Sequence, residues 1–249
     1  MADVSFEPRG WPGLDALVAR SLLESHDRIR ALDLADGRRA WLKRVEDLSL
    51  RLRLQKGDSR KGFERDRAGL HALGEAGLPV APILAEGPDY FVTPDLGVTL
   101  QTMLRDPASD PAERCAAFAA AGAALAALHA NGFTHGRPSI RDICWDGEAA
   151  RFIDLERFSP HRTGSAAAAM DVLIFVHSLF AVDRAARAEL QAAMDSYRAA
   201  APRGVWEAVQ RKARGLRWLV PVTAPIRRLK PRSRDLNAVP LTIDYIGQA

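Results

Sequence analysis

Two aspartates flank a short hairpin in the middle of the chain, where the sequence reads HGRPSIRDICWDGEAARFIDLERF. Asp142 precedes one apolar run and Asp154 follows the next, and the Asp146-Gly147 pair between the runs favours a tight turn. Pairing of the two runs would bring both carboxylates to one rim of the hairpin. There they could hold a divalent cation; two surface aspartates beside a turn are the alternative interpretation.

The elements upstream of this hairpin are strands with one helix among them. RIRALDLADGRRAWLKRV alternates about Asp36-Gly37 and predicts a β-hairpin with Lys43 on its second strand. FERDRAGLHALGEAG places its apolar residues near one helical face and ends at Gly77. LPVAPILAEGPDYFVTPDLG predicts two further short strands about the Gly87-Pro88 turn, followed by a Pro-Asp-Leu-Gly connector.

From Pro111 onwards the sequence becomes helical. AERCAAFAAAGAALAALHANG is apolar on nearly every face, which predicts a buried helix that ends at Asn131-Gly132. After the acidic hairpin, MDVLIFVHSLFAV, RAELQAAMDSYRAA and VWEAVQRKARGLRWL show helical periodicity. A buried helix with further helices around it implies a second, helical part of the chain.

This order of elements resembles that of the protein-kinase superfamily. The likeness covers roughly residues 29–179, and the His-Gly loop is most similar to that of the bacterial lipopolysaccharide (Kdo and heptose) kinases, with the aminoglycoside phosphotransferases second. The resemblance implies an α+β, bilobal, protein-kinase-like fold. A small N-terminal antiparallel β-sheet lobe with one helix would cover residues 1–97, and a larger helical C-terminal lobe would cover residues 98–249. ATP and Mg²⁺ are the implied cofactors.

The family's loop, His-(Arg/Gly)-Asp-Leu-x-x-x-Asn, implies roles for individual residues. Laid over HGRPSIRD, it puts Arg137 at the catalytic-base position, Asp142 at the metal-binding asparagine and His135 in a structural role within the loop. A register that made Asp142 the base would put Gly147 at the metal-ligand position, and we reject it. Asp154 matches the aspartate of the Asp-Phe-Gly motif and would be the second metal ligand.

The same resemblance implies roles for three more residues. Lys43 matches the strand lysine that contacts the nucleotide phosphates, and Asp66 is its expected acidic partner on the following helix. Asp171 resembles the helix aspartate that accepts hydrogen bonds from the loop backbone. No G-x-G-x-x-G loop precedes Lys43, and the short spacing from Asp154 to Asp171 leaves no room for a long activation segment.

Arg137 divides the functional predictions. An arginine stays protonated and has no acceptor, so it cannot act as the usual aspartate does. The leading prediction is an ATP-dependent phosphotransferase acting on a hydroxyl of a small molecule or glycolipid, with Lys43 on the phosphates and Asp142 and Asp154 on Mg²⁺. An additional hypothesis is that Arg137 lies against the transferring phosphoryl group and offsets its charge. The second prediction is a pseudokinase, a nucleotide-binding scaffold without transfer.

The positive charge of the chain is unevenly distributed around a net charge of +4. Basic residues concentrate between residues 51 and 67 and again in RKARGLRWLVPVTAPIRRLKPRSR, which has no acidic residue from Arg211 to Arg234. With Trp206 and Trp218, the second block predicts either peripheral contact with an anionic membrane or a solvated helix face packed by its tryptophans. Nucleic-acid binding is not expected, because no recognition motif accompanies the charge.

Cysteine usage and hydropathy predict a cytoplasmic protein, or one held peripherally at the inner membrane surface. The N-terminus MADVSFEPRG lacks the apolar run of a signal peptide, and no uninterrupted apolar stretch suggests a membrane span. Cys115 and Cys144 are too few for a disulfide framework, so both are interpreted as free thiols. Cys144 is predicted at a buried strand position.

Overall fold

The computed structural model describes residues 10–45 and 59–248. Predictions that concern the first nine residues, or the part of the first basic block before residue 59, lie outside these ranges. The described chain begins with α1 (Leu14–Glu24), β1 (Ile29–Asp33), β2 (Arg39–Arg44), α2 (Ser59–Glu75), β3 (Ala85–Gly87) and β4 (Tyr90–Pro94). The predicted hairpins and the predicted helix of this region are therefore present.

The four strands form one antiparallel sheet in the order β1-β2-β4-β3. Gly37 makes the turn between β1 and β2 with a φ of 85°, a conformation that costs glycine little. Ala40 and Leu42 of β2 are buried on one face of the sheet. Because side chains alternate along a strand, Lys43 lies on the other face.

Helix α1 covers the face of the sheet that carries Ala40 and Leu42. Its Leu14 and Val18 pack against them in a separate small hydrophobic cluster. This helix was not predicted from the sequence, since Gly13 precedes it and no side chain caps its first turn. Without such a cap the sequence carries no clear start signal.

The remaining elements are mostly helical: β5 (Val98–Thr99), α3 (Leu100–Arg105), α4 (Pro111–Ala130), β6 (Ile143–Trp145), β7 (Ala150–Phe152), α5 (Gly164–Val182), α6 (Arg187–Ala200), α7 (Val205–Gly215), α8 (Leu219–Leu229) and α9 (Arg234–Gln248). Strands β5, β6 and β7 form a second, antiparallel sheet. The mixed α and β composition with small antiparallel sheets is confirmed. Elements β5, α3, α8 and α9 were not predicted.

The alanine-rich helix α4 lies in the main hydrophobic core and packs against α6. Asp110 caps its start by accepting hydrogen bonds from the backbone of Ala112 and Glu113. A Cβ on Gly122 would lie 1.9 Å from the carbonyl oxygen of Ala193. Glycine at this position therefore permits the close approach of α4 and α6.

The sequence was expected to contain no apolar stretch long enough to span a membrane, and helix α5 corrects that expectation. By length and composition α5 is apolar enough to cross a membrane, with a mean hydropathy of 1.8 over its most apolar 18 residues, called here its apolar window. Half of that window is buried inside the protein, and Ala169, Val172 and Val176 belong to the main core. Its apolar sequence is accounted for by its place among the other helices.

Candidate active site

A cleft of about 360 Å³ lies between the four-stranded sheet and the β6–β7 hairpin. This volume is within the range of small-molecule sites, roughly 300–1,000 Å³. Apolar side chains such as Ala81, Phe91 and Ile153 line part of it, and the connector from residue 93 to residue 97 lines another part. Its ionisable lining residues include Lys43, Asp66, Asp142 and Asp154.

A larger depression of about 850 Å³ lies between α1, α2 and β3. Its lining is mostly apolar, and its ionisable residues are Asp15, His71, Glu75, Glu86 and Tyr90. None of the residues with roles implied by the kinase resemblance lines it. The smaller cleft is therefore the candidate active site.

Lys43 lies at the centre of a group of three carboxylates in this cleft. Its Nζ is 2.6 Å from Asp66 Oδ2, 2.9 Å from Glu156 Oε1 and 3.1 Å from Asp154 Oδ1. Burial disfavours the ammonium, but the negative charges of the three acids more than offset it and raise the pKa of Lys43 above its usual value. The lysine is therefore a fixed positive charge in the cleft.

Asp66 joins α2 to both sides of the cleft. One carboxylate oxygen accepts from Lys43, and the other accepts from the backbone N–H of Leu155 at 2.6 Å. Burial raises the pKa of Asp66 even though Lys43 opposes that shift. One turn further along α2, a Cβ on Gly69 would lie 2.9 Å from Leu155 Cβ, so glycine lets the helix approach the segment after β7.

Asp154 adopts a left-handed backbone conformation directly after β7. Its φ of 59° is the single positive value among the non-glycine residues of the described ranges. Such conformations cost free energy and occur often at functional sites. The carboxylate accepts from Lys43 on one oxygen and from Arg137 Nη2, at 3.2 Å, on the other.

Arg137 lies between the two carboxylates that were predicted to hold metal. Its Nη2 is 3.2 Å from Asp154 Oδ2 and 3.8 Å from Asp142 Oδ2. On the other side of Asp142, Arg141 Nε lies 3.2 Å from Oδ1. The guanidinium of Arg137 thus supplies positive charge to both acids, and it accepts no proton from a substrate.

The two acids differ in their protonation behaviour. Burial, reinforced by the negative charge of Asp154, raises the pKa of Asp142 to about 7. Burial also acts on Asp154, but Lys43 and Arg137 outweigh it and hold the pKa of Asp154 below its usual value. Asp142 therefore has less compensating positive charge than Asp154, and an additional cation beside it would stabilise its ionised form.

Hydrogen bonds of His135 and Asp171 hold the loop that carries Arg137 in place. Asp171 is buried in α5 and accepts the backbone N–H groups of His135 at 2.7 Å and Gly136 at 3.1 Å. The His135 ring bonds the carbonyl oxygen of Ile153 through Nε2 and the Arg137 N–H through Nδ1. Burial lowers the pKa of His135, so the ring is neutral and holds the loop.

Three contributors to the site were not identified from the sequence. Glu156 bonds Lys43 and is also paired with Arg28, while Arg141 is paired with Asp142. Glu156 occupies the place of the glycine in the Asp-Phe-Gly motif, and that departure was the available signal. Three carboxylates lie close enough together to suggest a second metal site, those of Asp66, Asp154 and Glu156. The ammonium of Lys43 pairs with all three, so a cation of the protein itself already accompanies them.

Cys144 lies in β6 and is buried at the wall of the cleft, as predicted for a strand position. Burial raises the pKa of its thiol to about 12. Because the thiolate is the nucleophilic form, this cysteine is not a candidate nucleophile. Cys144 and the partly buried Cys115 are both free thiols.

Five of the predicted site residues therefore form one connected cluster. Lys43 bonds Asp66 and Asp154, and Arg137 links Asp154 to Asp142. Lys43, Asp66, Asp142 and Asp154 line the cleft, whereas Arg137 and His135 are not among its lining residues. Arg137 acts on the cleft through its contacts with two of the acids, and His135 acts through the loop backbone. The five residues supply one ammonium, one guanidinium and three carboxylates beside a cleft with an apolar wall.

Comparison with known proteins gives one relative and a group of structures. No protein-family model matches the chain. An uncharacterized protein of Haemophilus influenzae is 33% identical over 144 residues, which are 58% of this chain and 60% of that protein.

Among solved structures, the chain is similar to a co-crystal structure of WbdD and the kinase inhibitor LY294002, with a TM-score of 0.46 and 15% identity. That match covers 75% of this chain and 49% of the other. A medium-resolution structure of the bifunctional kinase-methyltransferase WbdD matches with a TM-score of 0.43 and 14% identity, over 71% and 44% of the two chains. Each match covers about half of the neighbour's chain.

Proposed function

We propose that this protein is an ATP-dependent phosphotransferase with a hydroxyl group as acceptor. The observation that carries the proposal is the position of Lys43, which bonds Asp66 and Asp154 inside a cleft with an apolar wall. A lysine held in this way can contact nucleotide phosphates, because its charge and direction are fixed before the nucleotide arrives. The apolar wall suits the flat face of a base.

The two halves of the chain take different parts in this proposal. Residues up to 97 supply Lys43 and Asp66, and residues from 98 onwards supply Arg137, Asp142 and Asp154. A bilobal, kinase-like arrangement divided at this point agrees with the position of the cleft between the two sheets. The connector that ends at Gly97 would then be the hinge between the lobes.

Asp142 and Asp154 are the residues that would hold Mg²⁺. Carboxylate oxygens are the ligands that this hard cation prefers. The raised pKa of Asp142 shows that Arg141 and Arg137 only partly offset its burial and the charge of Asp154, which fits a further cation beside it. When bound, the ion would neutralise phosphate charge. Arg137 lies at the same pair of carboxylates, so its guanidinium must share them with the ion or move aside.

The position of Arg137 also bears on the rate of transfer. Loss of a general base lowers rates by about 10²- to 10⁴-fold, but phosphoryl transfer depends mainly on positioning and on electrostatic stabilisation. Arg137 in the role of a charge stabiliser is consistent with a slow enzyme. The acceptor in this proposal is a small molecule or a glycolipid.

A second candidate function is nucleotide binding without transfer. The observation that favours it is the position of Arg137, whose guanidinium places positive charge beside both Asp142 and Asp154 without an ion. A pseudokinase of this kind would act as a nucleotide-dependent scaffold. Both candidates require the cleft to bind nucleotide, and they differ in turnover.

Thermal unfolding with ATP, with and without Mg²⁺, tests the shared requirement. Ligand at 100 times its Kd stabilises a protein by about 2.7 kcal/mol, so we expect a clear rise in Tm. Lys43→Met should abolish the rise, whereas Lys230→Met, which removes an exposed lysine far along the chain, should keep it. A wild-type protein without any response to nucleotide would contradict both candidates.

Transfer from γ-labelled ATP then separates the two candidates. The acceptors offered are lipopolysaccharide precursors, free sugars and peptides. Incorporation of label by the wild type, and its loss in Lys43→Met, would support the phosphotransferase. Nucleotide binding without incorporation into any of these acceptors would favour the scaffold.

A further inference from the structure

Helix α8 presents an apolar stripe to solvent. Trp218, directly before the helix, and Val222, Ile226 and Leu229 within it have exposed fractions between 44% and 83%. No residue of α8 is buried. At 3.6 residues per turn the four positions fall within about 80° of arc, so they form one continuous strip, which we name the α8 face.

The other side of the helix attaches it to the rest of the protein. Thr223, Ala224 and Arg227 are half-buried there, and α8 packs against α9. Arg227 also donates a hydrogen bond to the carbonyl oxygen of Val220 at 3.1 Å. The α8 face is therefore not the side by which the helix is held, and within the described part of the chain nothing covers it.

Basic residues surround the α8 face. Residues 211–234 carry nine arginines and lysines and no acidic residue. Arg217, Arg228 and Lys230 are exposed next to the apolar strip. No ion pair within the described ranges involves residues 211–234. The charges of the exposed residues among them, such as Arg217, Arg228 and Lys230, are thus available to an external anionic surface.

We propose that the α8 face binds the surface of a bilayer that contains anionic phospholipids. The helix would lie parallel to the surface, with its apolar side chains among the upper acyl chains and Arg217 and Arg228 near the phosphates. Trp218 at one end of the strip suits the headgroup level, where tryptophan is enriched. An apolar strip edged by unpaired positive charge is complementary to this surface in both respects.

Two other occupants fit the same observations less well. A second copy of the chain would bring its own basic rim against the first, and like charges at an interface are repulsive. A nucleic acid would use the arginines and lysines, but its backbone contacts are phosphate contacts, so the apolar strip would remain exposed. The bilayer uses both the strip and the charge.

The inference does not depend on phosphoryl transfer. Lys43 and the cleft belong to other elements, so the wild type should bind vesicles equally with and without ATP. Failure of nucleotide binding and failure of vesicle binding are therefore separate results.

Vesicle flotation of the full-length protein tests the inference. The probes are vesicles of phosphatidylcholine alone and vesicles in which part of it is replaced by phosphatidylglycerol. The test variant is Leu229→Asp, and Leu23→Asp is the matched control, because Leu23 is an equally exposed leucine on α1, at 87% against 83%. Arg228→Gln tests the charge at the rim.

We expect binding to the anionic vesicles that weakens at high salt, and weaker binding to phosphatidylcholine alone. Leu229→Asp should lower partitioning by about tenfold or more, since it removes a leucine that the bilayer would bury and adds negative charge. Arg228→Gln should lower it by about fivefold, and Leu23→Asp should leave it unchanged.

Three results would overturn the proposal. The first is no binding of the wild type to anionic vesicles, and the second is equal binding of Leu229→Asp and the wild type. The third is a lipid-free dimer, seen by sedimentation velocity, that Leu229→Asp converts to monomer, because a second copy would then cover the α8 face. If vesicle binding is absent, binding to nucleic acid should be measured as well. A salt-sensitive complex that Leu229→Asp leaves intact would then assign the basic residues to nucleic acid instead.

Discussion

Arg137 Nη2 lies 3.2 Å from Asp154 Oδ2, at the carboxylate that the kinase resemblance assigns to metal binding. The same nitrogen is 3.8 Å from Asp142. A residue that replaces the expected catalytic base therefore also provides positive charge to the expected metal ligands. This contact makes Arg137 the residue that most directly separates an active phosphotransferase from a nucleotide-binding scaffold.

Replacing Arg137 by alanine should strengthen binding of divalent ions. The guanidinium competes with a cation for Asp142 and Asp154, but it is 37% exposed and partly screened, so we expect a gain on the order of three- to tenfold. Titration calorimetry with Mn²⁺ and a non-hydrolysable ATP analogue measures the affinity. Arg38→Ala, which removes an exposed arginine paired with Asp36, is the control; an affinity in Arg137→Ala no higher than in that control would contradict the competition.

Arg137→Ala also tests the role of the residue in turnover. If the guanidinium stabilises the transferring phosphoryl group, turnover should fall in the alanine variant even though metal binding improves. Transfer from γ-labelled ATP at saturating Mg²⁺ measures this effect. Unchanged turnover would remove Arg137 from the reaction.

The Lys43–Asp66 pair should couple strongly in stability. Both side chains are largely buried, so Lys43→Met alone leaves unpaired acids and should destabilise the protein by about 3–5 kcal/mol. A double-mutant cycle with Asp66→Asn should give a coupling energy of about 1–3 kcal/mol, measured by urea unfolding. The exposed pair Arg39–Asp33, at 2.6 Å, serves as the control cycle and should show almost no coupling. Equal coupling in the two cycles would argue against a special role for burial.

Asp171 should determine the order of the loop that contains His135 and Arg137. Asp171→Ala leaves two buried backbone N–H groups without an acceptor, and we expect a loss of about 2–4 kcal/mol. Asp171→Asn keeps one acceptor oxygen and should lose less. Hydrogen exchange of the His135 and Gly136 amides reports the effect locally. Protection that persists in the alanine variant would show that other contacts hold the loop.

Two glycines in helices should respond in opposite directions to alanine. Gly122→Ala places a methyl group against the carbonyl of Ala193, so α4 and α6 must separate, at a cost of about 1–3 kcal/mol. Gly74 in α2 has open space at its Cβ position, and Gly74→Ala should stabilise the protein by up to about 1 kcal/mol. Urea unfolding of both variants measures the contrast, and stabilisation by Gly122→Ala would mean that the two helices pack less closely.

Local signals in the sequence were enough for much of the fold. Asp36-Gly37 and Asp146-Gly147 marked two hairpins because their turn conformations restrict residue type. The alanine-rich α4 was recognisable because an all-round apolar helix must be buried. Helix α1 was not predicted because it lacks a capping side chain. Strand β5 and helix α3 were not predicted because they are too short to show a periodic pattern of apolar residues.

The candidate site depended more on resemblance than on local pattern. Lys43 and Asp154 are far apart along the chain, and no periodicity relates them. The kinase-like order of elements suggested that the two residues meet, and in the structure Lys43 Nζ lies 3.1 Å from Asp154 Oδ1. The contact of Glu156 with Lys43 was absent from that pattern, because the family has a glycine there.

The sequence thus determined which residues are candidates: the hairpin pattern indicated Asp142 and Asp154, and the resemblance to the kinase order of elements added Lys43, Asp66 and Arg137. It also determined what each of them can do, since charge and hydrogen-bonding capacity are properties of the side chains themselves. The folded chain alone shows that Arg137 lies against both acids, that α5 is in the core and that the α8 face is exposed. The first is a contact between segments that are distant in the sequence, and the other two are degrees of burial. Contacts and burial of this kind arise only when the helices and strands pack together.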